Sequence, residues 1–473
     1  MKNILIIFII GTVFLFTSCE DELLQNPISQ PNASSFYKTQ ADLENAVNAA
    51  YDGLQRIGQY GQNFAYYMEV RSDNSDVEIP GNSGGVYGDM DLFKELPNNF
   101  VLTETWRDSY LGIQRANIVL NRINEIAMDA SLRDVRVGEM KFLRALTYFN
   151  LVRIWGDVPL VLTETSDAFE SFSHQRDAAQ GIYDQIIKDL KEAAQALPEK
   201  QAQPGRATKG AANALLGKVY LTLKNYPEAI TALRATTTGT YRLLPDYASV
   251  FGVVNENNAE SIFEVQFRSG SVGEGSRLPN QFMPSTKNSL INGQGLTLGD
   301  NRPTAEFADG YEAGDARKAV TIGVADGLLY PKKYLDIPTQ PFDANINVIV
   351  LRYADVLLML AEALNEQGYA VNGEAFNLLN QIRTRAKLPQ LTATELPNQN
   401  SFRLAIEKER KYELAFENHR WFDLVRTGRA ITVMNAHKSS NGAFQVKPYQ
   451  LLFPVPQDEI NASGNKLTQN TGY

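Results

Sequence analysis

One cysteine and three histidines are all that the sequence offers of the side chains best suited to nucleophilic or metal chemistry. Cys19 has the position that most clearly dictates a reaction. Lys2 supplies a short positive segment, and Ile4 to Phe16 form an apolar run too short to cross a bilayer as a helix. Thr17 and Ser18 then put small residues directly before the thiol. That order resembles a bacterial lipobox, in which residues 1–18 would be a cleaved signal peptide and the cysteine would be acylated. A lone cysteine cannot form an internal disulfide, which agrees with a role as an anchor. Acyl chains contributing about 0.8 kcal/mol per buried CH₂ would hold the chain to a membrane.

The histidines, His174, His419 and His437, lie far apart and fit no zinc-binding spacing. No nucleophile elbow, phosphate-binding loop or dinucleotide fingerprint is present. Glu407, Glu409 and Glu413 alternate with Lys408, Arg410 and Lys411, as on a solvated or salt-bridged helix face. Asp300, Asn301, Asp309 and Asp315 could offer oxygens to calcium. No EF-hand spacing orders them, and turn formation is the preferred reading. The expectation is a protein that binds, with no catalytic residue, no cofactor and no metal; calcium stays open. A hydrolase with two carboxylates brought together across loops is the rival from another class.

The sequence carries 45 basic and 54 acidic residues. Removing residues 1–18 takes away one lysine and no acid, leaving 44 against 54 and a net charge of −10. Nucleic acid is therefore not an expected partner, since that affinity rests on Lys and Arg against phosphate.

The elements that must position any site are helices. Apolar residues recur with helical period at Leu43 to Leu54, Trp106 to Ile123, Leu132 to Trp155 and Ile182 to Leu197. The pattern resumes in the pair Thr208–Lys224 and Pro227–Ala235, then near 351–367, 373–386, 402–417 and 421–426. Residues 19–35 are polar and rich in Pro and Asn, a tether. Two stretches break the rhythm, Val70–Asn99 and Phe267–Asn347, both rich in Gly, Asn and Asp. Loops this long inside a compact domain are often functional. Ser261–Phe267 alternates Phe263, Val265 and Phe267 as a short strand would.

Leu216, Gly217, Tyr220, Ala229 and Leu233 fit tetratricopeptide spacing, with small residues where paired helices touch and large ones between them. Several longer stretches then resemble one family. They are FLRALTYFNLVRIWGDVPLV (142–161), GRATKGAANALLGKVYLTL (205–223), LRYADVLLMLAEALNE (351–366), LNQIRTRAKLP (379–389), ERKYELAFENHRWFDLVRTG (409–428) and the last 23 residues. In this order they are similar to the SusD/RagB family of Bacteroidetes outer-membrane lipoproteins. The acidic run Glu20-Asp21-Glu22 also resembles the surface-export signal of such lipoproteins.

The resemblance implies a mainly α fold: a tetratricopeptide-like helical-repeat scaffold beside a loop-rich, irregular ligand-facing region with a few short strands. It divides the chain into an N-terminal helical region, 36–235, and a C-terminal region, 236–473, with a loop-rich insertion at 267–347. It implies a lipid-anchored protein at the outer-membrane surface whose partner is a SusC-like TonB-dependent transporter. Its ligand would be an oligosaccharide, with oligopeptide capture as the alternative and a lid without a ligand as a further rival. On this reading Trp155, Arg352, Asp355, Glu362, Arg410, Glu413, Trp421, Asp423 and Arg426 pack helices and make buried ion pairs. A sugar offers an apolar C–H face to flat aromatics and a rim of hydroxyls to polar side chains. Both irregular stretches hold that mixture. The expected ligand residues are Tyr66, Tyr67, Arg71, Asp73, Asn74 and Tyr87 in the first, and Phe282, Tyr330 and Tyr334 in the second. Phe93, Asn292, Gln294 and Tyr311 lie among them.

Overall fold

Side-chain caps set where the long helices begin. Thr39 caps α1 (Gln40–Asp52) in a reciprocal box with Asp42, Asn99 caps α2 (Phe100–Arg122), and Asp129 caps α3 (Ala130–Trp155). The computed structural model describes residues 37–167, 173–286, 297–437 and 445–473. Cys19, the 1–18 and 19–35 segments, Asn292 and Gln294 lie outside them. Further helices are α4 (Ala179–Ala196), α5 (Lys209–Thr222), α6 (Tyr226–Thr237), α7 (Tyr353–Gln367), α8 (Glu374–Arg385), α9 (Gln399–Glu413) and α10 (Arg420–Arg426). Neighbours in the series pack on one another, α3 on α4, α4 on α5, α5 on α6, α6 on α7 and α7 on α8, the stacking of a helical-repeat array. Among the described residues no helix is long and apolar enough to cross a membrane.

The repeat unit is held by a missing side chain. A Cβ on Gly217 would lie 2.5 Å from Leu233 Cγ, so glycine is what allows α5 and α6 to approach. Tyr220, Ala229 and Leu233 fill the buried seam around it.

Strands are few and short. β1 (Ser75–Asp76) pairs with β3 (Arg302–Pro303), β2 (Ser261–Val265) with β6 (Val348–Arg352), and β4 (Ile322–Ala325) with β5 (Leu328–Pro331), all antiparallel. The helix expected from Leu351 begins instead at Tyr353, because Val348 to Arg352 completes a ladder with β2. The C-terminal segment returns to the N-terminal helices. Trp155 Nε1 donates to Pro454 O (2.9 Å), and Asn470 Nδ2 donates to Trp155 O (3.0 Å). One hydrophobic cluster accordingly runs from Leu43 to Leu467.

Beneath the irregular region lies a closed ionic framework. Fully buried Arg352 pairs with Glu260 (2.9 Å), Glu413 (2.6 Å) and Glu417 (2.5 Å). Arg317 joins Asp315 (2.8 Å), Glu409 (2.5 Å) and Glu413 (3.2 Å), while Arg385 meets Glu260 and Glu413. Burial alone would raise the Glu413 carboxyl, but Arg385, Arg352 and Arg317 outweigh it and hold it well below the usual range. Arg410 reaches Asp355 (2.7 Å) and Asp423 (2.8 Å), and Arg426 reaches Glu362 and Asp423. These residues form the buried ion pairs expected of them.

Candidate functional site

The first exposed aromatic of α2 stands at the edge of a large cleft. Phe100 keeps 45% of its surface exposed. With Thr103, Glu104 and Arg107 it shares one helical face, turned away from buried Trp106 and Ile113. Asn99 fixes this end by accepting from Val101 N (3.0 Å) and donating to Val86 O (3.0 Å). Across the cleft stand both ends of the second irregular stretch, Ser271 to Arg277 and Gln340 to Asp343. Gln55, Arg56 and Ile57, just past α1, close one side, and the enclosed space is about 960 Å³. That is ample for several sugar units or a short peptide.

The far wall is tied together locally. Ser276 and Ala344 exchange backbone hydrogen bonds (2.8 and 3.0 Å), and Asp343 Oδ2 accepts from Gly270 N (2.9 Å) and Ser271 N (2.8 Å). A Cβ on Gly275 would sit 2.5 Å from Asp343 Cα, so this approach needs glycine. Phe342 holds a left-handed backbone, φ +59°, pinned by its N–H donating to Asn280 Oδ1 (2.9 Å). The Arg277 guanidinium lies 4.6 Å from the centre of the Phe342 ring. Its Nε donates to Gln62 Oε1 (3.0 Å), and Gln62 Nε2 donates to Tyr87 Oη (2.8 Å).

Charges in the cleft fall into two kinds. Arg56 pairs with Asp108 (2.5 Å), Asp52 with Arg115 (2.5 Å) and Arg107 with Glu459 (2.7 Å). Arg277 and Glu104 have no ionic partner among the described residues; Glu104 Oε2 accepts only from Asn63 Nδ2 (3.0 Å). Partial burial raises the Glu104 carboxyl and the Asp108 charge adds to the rise, while the Asn63 hydrogen bond and the Arg277 and Arg56 charges oppose it. The arrangement offers two aromatic rings, a fixed cation and a fixed anion, which suits a ligand with apolar faces and hydroxyl edges.

The nine residues expected to contact ligand are elsewhere: all are buried, none more than 8% exposed. Tyr66 donates to Asp300 Oδ2 (2.8 Å) and stacks on Tyr87 at 4.3 Å. Tyr67 donates to Val101 O (3.2 Å) and meets Phe453 edge-on. Arg71 pairs with Glu95 (2.8 Å) between Phe93 and Phe453. Asp73 is taken by Arg420 (2.7 Å) and Lys411 (2.6 Å), and Asn74 donates to Glu69 Oε1 (2.7 Å). Phe282 meets Tyr334 edge-on, and Tyr330 packs with Met283 and Ala325. A ring sealed by protein on every side cannot stack on a sugar. These residues therefore support the site as core, and Tyr87 stands nearest, edge-on to Phe100 at 6.0 Å. Tyr311 is likewise packed, on Phe307 and Tyr412.

Three of the four oxygen donors open to calcium stand in separate surroundings. Asp315 is bound to Arg317, Asp309 is exposed, and Asp300 takes Tyr66 and Gln281. Among the described residues no three acids or histidines converge as a metal set. His419 is buried against Lys218 Nζ (2.8 Å), and burial, followed by the Lys218 charge, depresses it to about 3. His437 sits 3.0 Å from Glu306.

Comparison with known proteins agrees with this architecture. Residues 319–473 match the model of the SusD family, and residues 24–221 match one described as "Starch-binding associating with outer membrane". A SusD-like protein of Formosa agariphila is 30% identical over 541 aligned positions, covering 100% of this chain and 99% of that protein. A SusD-like protein of Bacteroides ovatus is 25% identical over 90% of this chain and 82% of its own. Among solved structures, a laminarin-binding SusD-like protein superposes with a TM-score of 0.78 at 29% identity, covering 92% of this chain and all of that one. A SusD superfamily protein from Parabacteroides distasonis gives 0.76 at 29%, covering 91% and 99%.

Proposed function

Since this chain belongs to the SusD/RagB family, we propose that it captures an extracellular oligosaccharide in the cleft between α2 and the irregular stretch. The observation that carries this reading is the pairing of exposed Phe100 with Phe342 and Arg277 on opposite walls of one 960 Å³ space. Flat rings take the C–H faces of sugar units, and Arg277 and Glu104 take the hydroxyls. The relatives support a glycan: one solved structure is a laminarin-binding protein, and one matching family is described as starch-binding.

The rest of the reading is a division of labour. Acylation of Cys19 anchors the protein at the outer-membrane surface, and a SusC-like TonB-dependent transporter receives what it binds. Tethering raises the local concentration of captured sugar at the transporter's mouth, so modest affinity suffices. On this reading the chain binds without transforming: His419 is buried against Lys218, His437 pairs with Glu306, and the matched relatives are described as glycan-binding.

Calorimetry with an oligosaccharide panel tests the site. Phe100→Ala is expected to weaken whichever oligosaccharide binds while leaving the melting temperature unchanged. Wild-type affinity in that variant would move the site elsewhere. Cys19→Ala is expected to release the protein from the membrane fraction; unchanged sedimentation would refute the anchor.

A further inference from the structure

Arg277 and Glu104 stand out because neither has an ionic partner among the described residues. The other two arginines lining the cleft are spent on carboxylates, Arg56 on Asp108 and Arg107 on Glu459. Arg277 uses only its Nε, on Gln62, while Phe342 supports the guanidinium plane. Both terminal amino groups are left to donate. Glu104 uses one oxygen, on Asn63, and keeps the other free to accept. These two groups share the cleft and lie within electrostatic range of each other, yet they are too far apart to pair.

We propose that Arg277 and Glu104 are the specificity-determining pair of the cleft, a fixed donor and a fixed acceptor that a neutral sugar bridges and an acidic sugar cannot. One ligand hydroxyl accepts from Arg277 and another donates to Glu104, so each half-buried charge gains a second polar partner on binding. A uronate or sulfated unit would satisfy Arg277 but would bring its negative charge toward Glu104 and Asp343. With Asp52 paired to Arg115, Asp108 to Arg56, and Arg107 held by Asp458 and Glu459, the charges left in the lining are Glu104 and Asp343 against Arg277. Like-charge placement of this kind is how an interface rejects a wrong partner. Gln62 is the positioning residue: it holds Arg277 through Nε and is itself held by Tyr87. The inference rests on the cleft being the glycan site.

The test sets the detergent-solubilised full chain against two matched panels. Neutral probes are oligomers of β-1,3-, β-1,4- and α-1,4-linked glucose and of xylose. Acidic probes are oligomers of galacturonate and of sulfated galactose. The wild type is expected to bind within the neutral panel only. Arg277→Ala should lose on the order of tenfold or more in affinity. Arg277→Lys should recover little of it, because an ammonium lacks the planar fork. Glu104→Gln removes the repulsion, so its ratio of acidic to neutral affinity should rise several-fold. Gln62→Ala should weaken binding less than Arg277→Ala, with no change in preference. Acidic probes bound more tightly than neutral ones by the wild type would overturn the proposal. So would wild-type affinity in Arg277→Ala, or an unchanged acidic-to-neutral ratio in Glu104→Gln. If Phe100→Ala loses binding while Arg277→Ala and Glu104→Gln do not, the pair fails and the cleft stands. If none of the three changes affinity, or no probe of either panel binds, the cleft reading fails with it.

Discussion

The ionic framework around Arg352 and the cleft around Arg277 use the same residue types to opposite ends. Arg352 is fully buried and meets three glutamates, so its charge is closed on every side. Arg277 is half-buried, stacked on one ring and bonded through one nitrogen, and its remaining donors are open. Glu413 and Glu104 differ in the same way: one is held down by three arginines, the other is raised by burial without a cation in contact. A saturated charge is part of the scaffold. An unsaturated one in a cleft keeps donors or acceptors open, which is what the proposed site requires.

The difference can be broken most forcefully from the scaffold side. Arg352→Ala leaves Glu260, Glu413 and Glu417 buried with an uncompensated charge, and breaking such a network typically costs about 3–5 kcal/mol. Urea unfolding should read that loss directly. Arg277→Ala, by contrast, should leave the urea midpoint within the scatter of the wild type, because its neighbours lose no buried ionic partner. Equal effects at the two sites would erase the distinction.

Next in size is overpacking at the repeat seam. Gly217→Leu puts a side chain where even a Cβ is 2.5 Å from Leu233 Cγ. The expected loss is about 1–3 kcal/mol, measured by thermal or urea melts. Ligand affinity at the cleft should not follow it.

Glu69 gives a prediction of similar size that depends on pH. It is fully buried, bonded to Asn74 Nδ2 (2.7 Å) and Phe416 N (2.8 Å). Burial still pushes its carboxyl up to about 7. The folded state therefore holds the proton more tightly than the unfolded one. The resulting stability is present in full below about pH 4.5 and is lost as pH rises through 7. Between pH 5 and 8 the wild type should lose on the order of 1–3 kcal/mol relative to Glu69→Gln, which does not titrate. Parallel pH-dependent melts that stay superimposed would remove Glu69 from the account.

The helices and the repeat were legible because their signals are local. Period-3.6 apolar spacing, caps at Thr39, Asn99 and Asp129, and the Leu216-Gly217 pair are all contained within a turn or two. The Tyr66–Asn74 run reads as an open loop because its partners are far away in sequence. Asp300, Glu95, Lys411 and Arg420 turn what looks like an open polar loop into core. The same holds for Tyr334, whose ring meets Phe282. Arg277 and Phe342 are separated by a long run of chain, so no spacing rule could have joined them. Phe100 did carry a signal. It falls off the Trp106/Ile113 stripe and shares a face with Glu104 and Arg107, so an aromatic there had no core to enter.

The smallest predicted effects are those at the two rings of the cleft. Phe100 is exposed, so Phe100→Ala removes a stacking face without opening a cavity. Stability should hold while affinity falls by about 0.5–1.5 kcal/mol, a several-fold change in Kd. Phe342 allows a finer division. Its backbone sits at φ +59°, a conformation that favours glycine. Phe342→Ala removes the ring and keeps that strain, whereas Phe342→Gly removes the ring and relieves it. Both should lose affinity alike, since both withdraw the ring beneath Arg277, and the glycine variant should be the more stable of the two. If Phe342→Gly binds as the wild type does, the ring serves only the turn. If the two variants bind equally weakly but differ in melting temperature, the ring's part in the site separates from its part in the fold.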